Sequence, residues 1–153
     1  MDRNQIQDAM NTITHGVYVI GTHLPEINNL MTAAWLTQVS TQPQMIMVAI
    51  SDSHLTTEII KITGEFVISV LGENQKNEAM ACGTVSGREV DKTSLINTKY
   101  TEDGYPLVEN ASAYLRCKVL DAIHVTSHVV FSAVVVEAEY MKDSVMLYRT
   151  RTK

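Results

Sequence analysis

The chain is poor in cysteine, proline and tryptophan. Its 153 residues include two Cys, three Pro and one Trp. Cys82 and Cys117 lie far apart and form no C-x-x-C pair, so a zinc or iron–sulfur centre lacks ligands. Two free buried thiols are the simpler expectation, with a disulfide as the alternative. Basic charge is scarce as well. Lys and Arg number 12 against 17 Asp and Glu, for a formal net charge of -5. That argues against a general nucleic-acid binder, which needs a basic face to replace the counterions of phosphates. A locally basic pocket remains open. No apolar run reaches the roughly 18 residues of a membrane span. The start, Met1-Asp2-Arg3-Asn4-Gln5, has neither the basic nor the apolar region of a secretory signal. A cytoplasmic protein is expected. There is no internal repeat, low-complexity tract or linker, so residues 1–153 are expected to form one domain. No G-x-G-x-x-G, Walker A, H-E-x-x-H or G-x-S-x-G motif occurs. The five histidines, His15, His23, His54, His124 and His128, show no metal-ligand spacing.

The periodicities that are present favour strands. Residues 3–12 read as a short helix, with Ile6, Met10 and Ile13 about one turn apart. Residues 16–22 read as a strand rich in β-branched and aromatic residues. Residues 45–50, Met-Ile-Met-Val-Ala-Ile, are apolar throughout and suit a buried strand. Residues 54–63 read as a helix with Leu55, Ile59 and Ile62 on one face and Gly64 as its stop. Residues 66–71 form another strand pattern, and 73–81 a helix. The S-x-x-E sequence Ser86-Gly87-Arg88-Glu89 predicts a capped helix over about 88–96. The last third predicts three strands, 112–124, 127–141 and 144–149, joined too tightly for crossover helices. The expected fold is mainly β with flanking helices, an antiparallel barrel rather than an open sheet with long apolar edges.

Two stretches could carry chemistry. Residues 28–40 mix amides, hydroxyls and small residues with Trp35, and a flat group could lie against such backbone. Residues 51–57, Ser-Asp-Ser-His-Leu-Thr-Thr, join a strand to a helix N-terminus, where free N–H groups and hydroxyls can cradle a phosphate. An ordinary cap by Ser53 or Thr56 explains the same residues without a ligand. Lys92, beside Asp91 and Arg88, fits a solvated helix face or the cation of a phosphate site. Trp35, taken alone, fits a core position.

These features coincide in one pattern. The chain resembles the flavin reductase-like, FMN-binding split-barrel family over nearly its whole length. The resemblance rests on Gly16 to Thr22, on Asn29 with Met31-Thr32-Ala33-Ala34-Trp35, on Ser51 to Thr56, and on Phe66 to Leu71. Its most specific part is Ser86-Gly87-Arg88 with Asp91-Lys92, similar to an S-G-R-x-x-D-K segment of the family. The resemblance implies a split β-barrel of Greek-key type that binds FMN. It implies that Asn29 and the backbone of Thr32, Ala33 and Ala34 meet the polar edge of the isoalloxazine, with Trp35 beside the ring and Met31 among the cofactor-binding residues. Ser51, Ser53, Thr56 and Lys92 would hold ribityl and phosphate. His128 matches a histidine near the nicotinamide face and is the candidate catalytic residue. The resemblance further implies a homodimer, an NAD(P)H donor, and a flavin, ferric or protein acceptor. Two alternatives stand beside this. One is an electron-transfer flavoprotein served by a redox protein such as a rubredoxin or flavodiiron partner. The other is a non-enzymatic FMN-binding module. One departure from the family pattern is plain: where relatives often carry Lys or Arg before the phosphate helix, this chain has Asp52 and His54, which leaves Lys92 as the main fixed cation.

Overall fold

A computed structural model describes residues 3–149. In chain order the elements are α1 (Arg3–Met10), β1 (His15–Gly16), β2 (Tyr18–Leu24), β3 (Ile27–Ala33), β4 (Leu36–Thr41) and β5 (Gln44–Ser51). Then come α2 (Leu55–Thr63), β6 (Glu65–Val70), and a 3-10 turn, Glu73–Gln75, that runs into α3 (Lys76–Gly83). A second 3-10 turn, Lys92–Ser94, precedes β7 (Thr98–Tyr100), β8 (Pro106–Val108), β9 (Ala113–Val125), β10 (His128–Tyr140) and β11 (Tyr148–Arg149).

Seven strands form one sheet in the order β3-β2-β6-β9-β10-β5-β4, and every neighbouring pair is antiparallel. Its two edge strands, β3 and β4, are consecutive in sequence, so the sheet curls until Ala34-Trp35 bridges its ends. They share no ladder, which leaves the barrel split at that seam. One core joins side chains from both ends of this order: Ile20, Met31, Val48, Phe66, Cys117, Val129 and Phe131 are all buried in it. Closure hides apolar surface that an open sheet would expose.

Alternation decides which apolar residues enter the core. In β5 only Ile46, Val48 and Ile50 are buried, while Met47 is exposed, so this strand is not buried on both faces as its composition predicts. In α2 the inner face is Thr56, Thr57, Ile59 and Ile60; Ile62, expected inside, is 66% exposed. The two threonines face inward because each finds a partner: Thr56 accepts from Asn29 and Thr57 donates to the Ser51 carbonyl. Gly64 ends the helix at φ 69°, a left-handed cap suited to glycine. Helix α1 ends at Met10 and buries nothing; Ile6, Met10 and Ile13 are exposed.

The helix expected over 88–96 does not form. Ser86 Oγ accepts from Arg88 N at 3.1 Å, and Glu89 N and Val90 N both reach the Ser86 carbonyl, so the segment makes a tight turn. Asp91 then caps only the short 3-10 turn. Tertiary contacts override the local signal, since Gly87 lies so close to the Asn29 amide that any Cβ would overlap it. The strand expected over 144–149 is reduced to Tyr148–Arg149. A hairpin of β7 and β8 was not expected. Arg116 holds it through Asp103 at 2.6 and 2.8 Å, Glu65 at 3.1 Å, and the Tyr105 ring at 4.5 Å. Among the described residues no helix is long and apolar enough to cross a membrane.

Candidate functional site

Beside the seam lie two cavities. The larger, about 590 Å³, is mainly apolar. Its walls include Met31 to Trp35 from β3 and the link after it, Ala49 to Ser51 from the end of β5, Ala79 and Gly83 from α3, and His128 from β10. Ala33, Ala34, Ala49, Ala79 and Gly83 have little or no side chain, which is why a slot exists here. Within its wall Thr32 Oγ1 donates to the Ala79 carbonyl at 2.5 Å, which ties β3 to α3. Strand β3 is a sheet edge, so its outward backbone groups have no strand partner. Trp35 stands at the mouth, 47% exposed, with the His128 ring 4.9 Å and the His15 ring 6.4 Å away. Ser127 Oγ hydrogen-bonds His128 Nδ1 at 2.8 Å.

The second cavity, about 340 Å³, is polar and shares Met31, Thr32, His54, Gly83 and Thr84 with the first. The N-terminus of α2, the 83–88 turn and Lys92 enclose it. No side chain caps α2: its N-cap is His54, without a capping bond. The ordinary cap by Ser53 or Thr56 is therefore not made. Ser53 instead pairs with Ser51 through their hydroxyls at 3.1 Å, and Thr56 receives Asn29 Nδ2 at 3.0 Å. The first N–H groups of the helix are left without a side-chain acceptor, and they carry about half a positive charge.

Lys92 is not on a solvated face. It is 4% exposed, and one hydrogen of its ammonium goes to the Cys82 carbonyl at 2.8 Å. Burial lowers its pKa, partly countered by the nearby Cys82. Burial likewise pushes the Cys82 thiol up to about 11 and Cys117 to about 12. Both cysteines are free and buried. Arg88 donates to the Ser53 carbonyl at 3.3 Å and to Glu58 at 2.8 Å, which ties the 83–88 turn to α2. Among the described residues no carboxylate lines either cavity, although the chain is acidic overall.

The residues singled out in the sequence converge. Met31, Thr32, Ala33, Ala34, Trp35, Ser51 and His128 border the apolar cavity, and Asn29, Ser53, Thr56 and Lys92 border the polar one. Asn29 is thus away from the apolar slot. It is buried and ties β3 to α2. Sequence reasoning passed over Arg88, His54, Ala79 and Gly83 as site residues. Arg88 sits inside the segment already matched, and the small residues Ala79 and Gly83 are one helical turn apart, a signal for a face left open. The arrangement can hold a flat apolar body whose tail ends in an anion.

Comparison with known proteins shows the family. A family model described as flavin reductase like domain matches residues 10–153. The high molecular weight rubredoxin of Moorella thermoacetica is 33% identical over 132 residues, covering 85% of this chain and 58% of that relative. This chain therefore spans under two thirds of the relative's length. Flavoredoxin from Methanosarcina acetivorans superposes with a TM-score of 0.77 at 26% identity, over 84% of this chain and 70% of that one. An FMN-binding protein from Thermus thermophilus with bound 1-cyclohex-2-enone gives a TM-score of 0.77 at 26% identity, over 84% and 71% of the two chains.

Proposed function

The chain belongs to the flavin reductase-like family, and from that premise we propose that it is an FMN-carrying oxidoreductase, reduced by NAD(P)H and passing electrons to a flavin, ferric or protein acceptor. The observation that carries the reading is the division of one groove into an apolar slot of about 590 Å³ and a polar end of about 340 Å³, with no carboxylate on either wall. A mononucleotide flavin has this shape and polarity: a planar ring, then a polyol and a phosphate.

The residues fit the group. Small side chains leave the ring's thickness free, and the edge backbone of β3 and the link after it would meet its polar edge. Ser51, Ser53 and Thr56 would hold the ribityl chain. The α2 N-terminus, Lys92 and Arg88 supply the positive field for a phosphate. Bound there, a flavin supplies hydride and single-electron chemistry. The chain's part is to fix the ring, hold its anionic tail in the polar cavity, and keep one face accessible. His128 borders the slot with Nδ1 engaged by Ser127, so Nε2 is the nitrogen that would hydrogen-bond a nicotinamide or hold a proton there.

A second reading has its own support. Trp35, Met80 and Tyr148 all border the slot and are exposed, an apolar rim suited to a docked redox protein. In that reading the donor is a protein and NAD(P)H is not used. We also propose a homodimer. Beyond Val119, whose N–H still donates to the Gly64 carbonyl, β9 pairs among the described residues with β10 alone and presents Leu120, Ile123 and Val125 to solvent, a surface that a second copy could cover. Light scattering at the mass of one chain would remove the dimer.

The test is an absorption spectrum of the purified protein, with the released cofactor identified by mass. A yellow protein releasing FMN is expected; no affinity for FMN or FAD would overturn the proposal. Anaerobic addition of NADH or NADPH separates the two readings. Rapid bleaching supports the first, and bleaching only by a reduced redox protein supports the second.

A further inference from the structure

His54 stands where the two cavities meet, and none of the roles above uses it. It borders both of them, it is the N-cap of α2, and its Nδ1 lies 3.1 Å from Met31 Sδ. The charge around it can be counted. A phosphate monoester carries close to two negative charges above about pH 6. On the other side, Lys92 brings one positive charge. Arg88 brings another, largely cancelled by Glu58 at 2.8 Å. The uncapped end of α2 adds about half a charge. Asp52, next but one in the turn, is engaged by His124 at 3.0 Å. His128, from β10, also bears on His54, and Lys76 borders the apolar cavity on its other side. The fixed cations of the polar cavity therefore fall short of a dianion by about half a charge, and an imidazole stands at the gap.

We propose that His54 takes up a proton from solvent when the flavin phosphate binds, and holds that phosphate as an imidazolium. This rests on the flavin reading and goes beyond it. The chain would then choose the phosphorylated flavin through a proton, where a fixed lysine or arginine could have served. In the free protein, partial desolvation of the ring and then the neighbouring Lys92, His128 and Arg88 hold the imidazole below its usual value. A bound dianion reverses that balance and favours the charged ring. Binding thus raises the histidine's pKa. Affinity is greatest on the acid side and is lost as pH rises through the bound value. The window lies above about pH 6.5, because below it the phosphate begins to take protons itself.

The experiment titrates flavin-stripped protein with FMN and with riboflavin, following flavin fluorescence from about pH 6.5 to about pH 8.5. FMN affinity should fall about tenfold across this range, as expected for losing one charge-assisted hydrogen bond. Riboflavin, which has no phosphate, should show no slope. His54→Gln should bind FMN at every pH as weakly as the native protein does at the alkaline end. His54→Arg should bind it tightly throughout. Calorimetry near pH 7.5, in buffers of different ionisation heat, should show proton uptake with FMN only. His54 is exposed, so neither variant threatens the fold. A flat FMN profile in the native protein, or an unchanged slope in His54→Gln, overturns the proposal; the latter would assign the proton to His128 or Lys92. Absence of binding by both FMN and riboflavin would overturn the flavin reading itself.

Discussion

Arg116 and Lys92 are both drawn out of water, and the chain treats them differently. Arg116, under the β7–β8 hairpin, meets two carboxylates and lies over a tyrosine ring. Its neighbour Asp103 is held well below the usual carboxylate range by that guanidinium, with Thr101 helping. Lys92, beside the groove, meets a carbonyl oxygen and lies near a thiol that burial keeps neutral. The first region is electrostatically complete without any ligand. The second holds a buried cation with no anion, next to a helix end with no cap. A desolvated charge costs free energy unless something compensates it, so the contrast marks which surface is finished and which awaits an anion.

The largest test of that contrast is Lys92→Met. Removing one partner of a buried charge pair costs about 2–5 kcal/mol of binding. FMN affinity measured by fluorescence should therefore fall by well over tenfold. The thermal midpoint of the flavin-free variant should stay the same or rise, because a desolvated ammonium has been removed. A lowered midpoint with unchanged affinity would make Lys92 structural and erase the contrast.

Arg116→Met should do the opposite. Two carboxylates lose their partner, but Asp103 is half exposed and water screens it. The expected loss is about 1–3 kcal/mol of folding stability in urea, with FMN affinity unchanged. The pH dependence has a definite sign. Asp103 has a depressed folded pKa, so its contribution is complete above its unfolded value near 4 and is lost as pH falls below it. The native protein should therefore lose stability through that acid range more steeply than the variant. Equal acid limbs would mean that the clasp contributes nothing.

The two regions also differed in how far the sequence revealed them. The barrel strands were legible because β2, β5, β6, β9 and β10 are long or rich in β-branched residues, and their hairpins are short. The clasp was not. Strands of three residues carry no period, and Arg116 meets Glu65 and Asp103 across 51 and 13 residues of chain. Within the groove, the stretches 28–40 and 51–57 were legible as a set, because hydroxyls, amides and small side chains are unusual together in strand-like sequence, although residues 36–40 belong to β4 and border neither cavity. Lys92 was identified but misplaced. The Ser86–Glu89 signal implied a helix that would expose it, whereas packing Gly87 against Asn29 replaces that helix with turns and carries Lys92 inward. Ile62 was misassigned because two buried threonines turn the inner face of α2. Local patterns predict elements; which polar group finds a distant partner is settled only in three dimensions.

The smallest effect expected is in thiol exposure. Cys117 sits in the main core on β9, between β6 and β10, and should open only when the barrel unfolds. Cys82 sits on α3 in a smaller cluster behind the groove, and its own carbonyl receives the Lys92 ammonium. Segments that complete a ligand site are drawn from the less stable parts of a fold. With both thiols pushed up to about 11 and about 12, neither should react quickly in the native state near neutral pH. In flavin-free protein a thiol reagent should still reach Cys82 before Cys117, by mass spectrometry of the labelled peptides. Saturating FMN should slow Cys82 severalfold, because binding the closed state reduces local opening, and should slow Cys117 only as far as it raises global stability. Equal rates for the two cysteines, with and without FMN, would mean that the groove is as rigid as the barrel and that its unpaired cation is tolerated without local opening.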